Sequence, residues 1–161
     1  MTDAKKEASR KKSLGELGEL YALKALVDNG FNNIKNLNDK NRNEPFADLI
    51  AEKDGMRYTI SVKSRNKNRG GRSIGKTNDR YNLGKNAMIR ANDSEKKHNA
   101  KAHWMGIEFD NQFITIYFGS MEEIKGHGGI PINKCRKGEV GKILLQSTKH
   151  YLDWDYFTNQ K

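Results

Sequence analysis

The sequence predicts a single α/β domain. Three observations carry that reading: apolar residues at helical spacing over 13–28, two alternating apolar runs joined at Asp54-Gly55, and two further apolar runs that meet at Asp110-Asn111. At 161 residues, 35% hydrophobic and 31% charged, the chain is long enough for one core and too short for two comfortable ones. Residues 1–12 read as a basic N-terminal arm, and 13–161 as the domain, with a basic loop at about 64–82.

In the first helix, Ser13 to Asp28, one broad face holds Leu14, Leu17, Leu20, Tyr21, Ala25 and Leu26, and Gly30 ends it. Ser13 and Glu16 match the S-x-x-E capping box, so Glu16 is expected to satisfy backbone N–H groups of the first turn. Glu19 has no such structural job. Gly18 beside it costs roughly 1 kcal/mol in a helix interior, which is tolerable where a neighbour packs closely. "NGFNNIKNLN" supplies a first strand and a loop, and Leu83 to Lys97 a second helix. "AHWMGIEFD" and "QFITIYFG" supply two more strands, followed by a mixed tail whose aromatic end, "YLDWDYF", is expected to dock on the core or on a second subunit.

The hairpin can be laid out by counting. A two-residue Asp-Gly turn places Lys53 opposite Met56, and therefore Asp48 opposite Ser61. Alternation then puts Asp48, Ile50, Glu52, Arg57, Thr59, Ser61 and Lys63 on one face, with Ala47, Leu49, Ala51, Tyr58, Ile60 and Val62 on the core face. Asp48, Ser61 and Lys63 gather at the open end of the hairpin, because opposed Cβ atoms stand about 5 Å apart. A carboxylate and an amine are expected to share one small site, or else to form a cross-strand ion pair on a solvated face.

Charge narrows the partner. Of the net +10, the segment from Lys63 to Lys101 carries +9 and residues 1–12 carry +3, which leaves the remainder slightly acidic. A basic segment and a basic arm on a near-neutral body point to a polyanion, most simply nucleic acid; a solvated loop is the alternative. One cysteine, Cys135, excludes an internal disulfide and a cysteine-rich zinc site and suits a reducing, cytoplasmic setting. No apolar run is long enough for a membrane span, and "MTDAKKEASRKKS" lacks the apolar stretch of a signal peptide.

The succession "GELGELYALKALVDNGF", "ADLIAEKDG" and "YTISVKSR" resembles the PD-(D/E)XK nuclease superfamily, in particular small Holliday junction resolvase-like endonucleases. The resemblance spans roughly residues 13–65. It implies a restriction-endonuclease-like fold, a mixed central sheet flanked by helices, and phosphodiester cleavage with Mg²⁺ or Mn²⁺. On matching positions it implies that Asp48, Glu19 and the Val62 backbone carbonyl hold the metal and that Lys63 orients or deprotonates the attacking water. Arg65, Lys67, Arg69, Arg72, Lys76 and Arg80 are the expected contacts to nucleic acid, DNA first. Ala47 stands where the family has proline, and Ser61 where it has an acid. An inactive binding module of the same fold is therefore the alternative, and whether two copies act on one duplex stays open.

"GGRSIGKT", Gly70 to Thr77, also satisfies G-x-x-x-x-G-K-[ST], the phosphate-cradling loop of nucleotide hydrolases. That loop leaves an apolar strand and opens a helix, whereas here "RNKNR" precedes it and "NDRYNLGKN" follows. The expected reading is a flexible basic loop. His98, His103, His127 and His150 show no metal-ligand spacing.

Overall fold

The structure, a computed structural model, describes residues 2–38, 44–68 and 75–148. Among these residues six strands form one sheet in chain order: β1 (Asn32–Asn36), β2 (Leu49–Lys53), β3 (Met56–Asn66), β4 (Lys101–Phe109), β5 (Phe113–Ser120) and β6 (Lys142–Thr148). All neighbours are antiparallel except β3 and β4, whose parallel pairing runs from Tyr58–Lys101 to Asn66–Phe109. Parallel neighbours require a crossover, and the segment between them supplies it with helix α2 (Ala87–His98).

Helix α1 (Asp3–Asp28) lies on one face and α2 on the other, so the sheet is buried on both sides. Tyr21, Ala22, Ala25 and Leu26 of α1 pack on Leu49, Ile60, Val62, Met105 and Ile107. On the opposite face Trp104 is fully buried among Phe46, Tyr81, Ala91, Ile130 and Ile132. The last two lead into a short helix, α3 (Ile132–Arg136), of which Ile132 is the first residue. The architecture is thus an α/β fold with a mixed central sheet flanked by helices.

Several expectations need correction. The helix begins ten residues earlier than Ser13, at Asp3, so Ser13 and Glu16 are interior and no capping box forms. The reason is local: "DAKKEASRKK" is rich in strong helix formers, and Arg10 donates to Glu7 at 2.7 Å one turn away. Leu17 and Leu20 lie on the exposed side, and the buried stripe is Gly18, Tyr21, Ala22, Ala25 and Leu26. The second helix starts at Ala87 rather than Leu83, because Gly84 and Asn86 take left-handed φ values of 86° and 55°. Part of the hairpin's polar face is covered, although Arg57 is exposed. Thr59 and Ser61 are buried under α2, where Thr59 Oγ1 and Ser94 Oγ share a 2.6 Å hydrogen bond, and Ala47 joins the second core. Helix α3 and strand β6 both form within the mixed tail, where no regular pattern marks them; "YLDWDYF" and His150 lie outside the described residues.

One half-buried histidine makes stability pH-dependent. His103 stacks on Phe118 with ring centroids 4.9 Å apart and meets the edge of Tyr58 at 4.7 Å. Burial holds its imidazole below the ordinary histidine range. The unfolded chain therefore binds the extra proton more readily. Stability should be complete above the ordinary pKa of about 6.5 and fall as the pH drops below it. Melting temperatures between pH 7.5 and 5 should decline, and His103→Leu should flatten that decline; an identical slope in the variant would assign it to other groups.

Candidate functional site

From Lys53–Met56 to Leu49–Ile60 the hairpin register is the one that counting gives. Asp54 and Gly55 take φ of 52° and 78°, the doubly left-handed turn that Asp-Gly favours, and Lys53 pairs with Met56 and Leu49 with Ile60. Asp48, one residue before β2, departs from that ladder: its N–H donates at 2.8 Å to the carbonyl of Ile60, the residue that pairs with Leu49, so Asp48 and Leu49 both face Ile60 as in a β-bulge. Its carboxylate does the next job along the edge, with Oδ2 accepting the Val62 N–H at 2.7 Å. A residue's N–H and C=O leave a strand on the same side, so the Val62 carbonyl faces this end of the hairpin too.

Glu19 reaches the same spot from α1. Asn38 Nδ2 donates both to Glu19 Oε1 at 3.0 Å and to Asp48 Oδ1 at 3.1 Å, so two carboxylates converge on one amide nitrogen. Strand pairing explains why Asn38 is there: Asn36 pairs with Leu49, and Leu37 N–H donates to the Asp48 carbonyl at 2.9 Å, which carries the chain past Asp48. Glu19 is placed by the glycine before it. Gly18 lies so close to β3 that a Cβ would stand 2.6 Å from Ser64 Cβ, and Ser64 Oγ donates to the Leu14 carbonyl at 3.1 Å. The interior glycine is thus accounted for by close packing, as its cost implied.

Ser61 and Lys63 project from the same side of β3, beside Trp104 and Gly106 of β4. Ser61 is only 4% exposed, whereas Lys63 is half-buried. Asn38 thus joins Asp48 to Glu19, which comes from the α1 face, whereas Ser61 and Lys63 lie on the Trp104 face of β3.

The basic residues divide. Arg65, Lys76 and Arg80 are exposed, whereas Lys67 pairs with Asp110 at 3.4 Å; Arg69 and Arg72 lie outside the described residues. Thr77 forms an isolated bridge with Asn68, and no helix occurs from Gly75 to Asn86. The described part of the GGRSIGKT motif thus lacks the helix that a nucleotide-binding loop must open, which counts against the nucleotide-hydrolase alternative.

The carboxylates of Asp48 and Glu19 with the Val62 carbonyl form an all-oxygen donor set, the type that hard cations such as Mg²⁺ and Mn²⁺ take. Water would have to supply the remaining positions, since no cluster of three or more His, Cys, Asp or Glu occurs among the described residues. Asn38 has no signal of its own in the sequence. It is one of six asparagines between 32 and 43, and only the β1–β2 register singles it out.

No family model and no curated protein matches the chain. Among solved structures it is similar to Hjc, a Holliday junction resolvase from the archaeal hyperthermophile Archaeoglobus fulgidus, at 16% identity and a TM-score of 0.47. The likeness covers 68% of this chain and 74% of that one. Such an identity transfers no residue role. No helix among the described residues is long and apolar enough to cross a membrane.

The two glutamates of α1 can be separated by experiment. Glu16 lies at the surface, 3.9 Å from Lys12, so Glu16→Ala should change stability by no more than about 0.5 kcal/mol and leave activity intact. Glu19→Ala should preserve folding and weaken divalent-metal binding and cleavage. Equal losses in both variants, measured by calorimetry and turnover, would remove the distinction.

Proposed function

We propose that the chain is a metal-dependent endonuclease that hydrolyses phosphodiester bonds in nucleic acid, with DNA as its substrate. The observation that supports this reading best is the convergence of Glu19 and Asp48 on Asn38, at the end of the hairpin that carries Lys63. Asp48, Glu19 and the Val62 carbonyl would hold Mg²⁺ or Mn²⁺, which when bound supplies Lewis-acid stabilisation of the phosphate and an activated water. Lys63 orients that water and balances charge on the phosphate. Ser61 offers a neutral hydroxyl. Arg65, Lys67, Arg69, Arg72, Lys76 and Arg80 hold the backbone of the nucleic acid, and release of its counterions makes the affinity salt-dependent.

A second reading has its own observation. Ser61 is a buried hydroxyl where the resemblance calls for an acid, so the same fold could serve as an inactive binding module. Labelled duplex, branched and single-stranded DNA, incubated with Mg²⁺, Mn²⁺ or Ca²⁺, separate the two. Cleavage that Asp48→Asn abolishes supports the enzyme, and binding without cleavage under any metal supports the module. Neutralising Arg69, Arg72 and Lys76 together should reduce the salt slope on duplex by about 0.9 for each phosphate that is no longer neutralised. An unchanged slope would take this segment off the binding face.

A further inference from the structure

Arg136, far along the chain in α3, ties three elements together beside the candidate site. Its Nε and Nη2 donate to Glu108 Oε2 on β4 at 2.9 and 2.5 Å. Its Nη1 donates to Asp79 Oδ1 at 2.9 Å, and Nη2 also reaches the Asn78 carbonyl at 2.8 Å. Glu108 is the β4 partner of Arg65, two residues beyond Lys63 on β3. The guanidinium therefore joins the sheet next to the site with the limb Gly75–Tyr81, which carries Lys76 and Arg80.

The limb has other attachments as well: Asn78 Nδ2 donates to the Asn66 carbonyl at 2.5 Å and Asn133 N–H to the Asp79 carbonyl at 3.1 Å. Asn78 N–H donates to the Lys67 carbonyl at 2.8 Å, and Tyr81 exchanges two backbone bonds of 2.9 Å with Ile130. Losing the guanidinium would loosen the limb and, by leaving the buried Glu108 carboxylate unpaired, would also lower the melting temperature, so the variants are compared below their melting transitions. Stability alone does not explain the arrangement, because a buried ion pair gains little over an apolar pair of the same size. Glu108 has a side chain only 6% exposed and could be replaced by packing. Only the planar fork of arginine meets three acceptors on two separate segments at once, so its distinctive contribution is geometry.

We propose that Arg136 is a positioning residue for nucleic-acid binding: with Glu108 it fixes the Asn78–Asp79 limb so that Lys76 and Arg80 meet phosphates in register with Asp48 and Lys63. The kinetic part of this inference rests on the nuclease reading; the ordering of the limb does not. Neither Lys nor Met at position 136 can make the fork. Both variants should therefore bind nucleic acid about tenfold more weakly, the scale of reordering two long side chains on association.

The test uses Arg136→Lys and Arg136→Met in the full chain. Amide hydrogen exchange over 75–81 should accelerate in both, while the melting curve stays cooperative. KM for a labelled DNA duplex should rise about tenfold in both, with kcat within about twofold of wild type. If wild type does not cleave, the equilibrium Kd for the same duplex replaces KM, and a tenfold rise there upholds the latch while the nuclease reading falls. Cleaving variants with wild-type KM overturn the latch and leave the nuclease reading intact. Wild-type exchange in Arg136→Lys, or rescue of affinity by lysine alone, also overturns it, because charge without the fork would then suffice.

Discussion

Asp48→Asn is expected to keep the fold and lose both divalent-metal binding and cleavage, the latter by about a thousandfold, as removal of several kcal/mol of charge stabilisation requires. Asparagine is the informative choice because Asp48 has a structural duty as well. Its Oδ2 accepts the Val62 N–H, which an amide oxygen can still do, whereas alanine would leave that donor unpaired at a cost of about 1 to 3 kcal/mol. Asp48→Ala confuses chemistry with folding; Asp48→Asn keeps the Val62 bond, removes the charge, and sets its amide nitrogen against Asn38 Nδ2 in an exposed contact. Calorimetric titration of Mg²⁺ and Mn²⁺ should give one site in wild type and none in the variant.

Ser61→Glu is the companion experiment. A carboxylate at position 61 should tighten metal binding, and in the absence of metal it should destabilise the chain, since position 61 is buried beside Trp104. Metal binding absent from wild type even with nucleic acid present, yet restored by Ser61→Glu, would defeat the catalytic reading and favour the binding module.

What could be read from the sequence follows the range of the interactions involved. Asp54-Gly55 fixes its own turn, and the turn fixes the register from Lys53–Met56 to Leu49–Ile60, so that pairing followed from counting; the departure at Asp48, whose N–H meets Ile60 rather than facing Ser61, did not. Gly18 was legible as a close approach because an interior helix glycine needs a reason. The partner of that approach, Ser64, was not legible: it comes from β3, 46 residues later in the chain. Asn38 escaped for the same reason, since its place depends on β1 pairing with β2 rather than on its neighbours.

The covered polar face has a different origin. Thr59, Ser61, Ala91 and Ser94 are small or hydroxylated residues, and none of them looks apolar by periodicity. They pack because α2 crosses from β3 to β4, and Thr59 and Ser94 satisfy each other in doing so. Their burial is a consequence of the parallel β3–β4 pairing, which the sequence had not disclosed. The helical start of α1 was lost in the opposite way. A run of bases drew attention to charge, while Glu7 among them was already the i,i+3 partner of Arg10.

Gly18 carries the second large effect, and there two opposing terms can be compared. Helix propensity alone says that Gly18→Ala should stabilise α1 by about 1 kcal/mol. Packing says the reverse. The new Cβ would lie 2.6 Å from Ser64 Cβ, and Ser64 sits on β3, which is hydrogen-bonded to strands on both sides and cannot retreat. The helix must lift instead, which loosens Tyr21, Ala22, Ala25 and Leu26 in the core and stretches the Ser64–Leu14 hydrogen bond. Overpacking of this kind costs about 1 to 3 kcal/mol, so the net sign for alanine is destabilising. Valine, with two more methyl groups and poorer helix propensity, should lower stability by about 3 kcal/mol or more. Glu19 moves with the helix, so the surviving Gly18→Ala protein should also bind metal more weakly. The decisive variant is the exchange Gly18→Ala with Ser64→Gly, which moves the Cβ from one side of the contact to the other. Denaturant unfolding should show it more stable than Gly18→Ala alone, with a coupling between the two sites of about 1 kcal/mol or more. A Gly18→Ala single variant that melts above wild type would mean that α1 does not press on β3 at this point, and Glu19 would lose its anchor in the site.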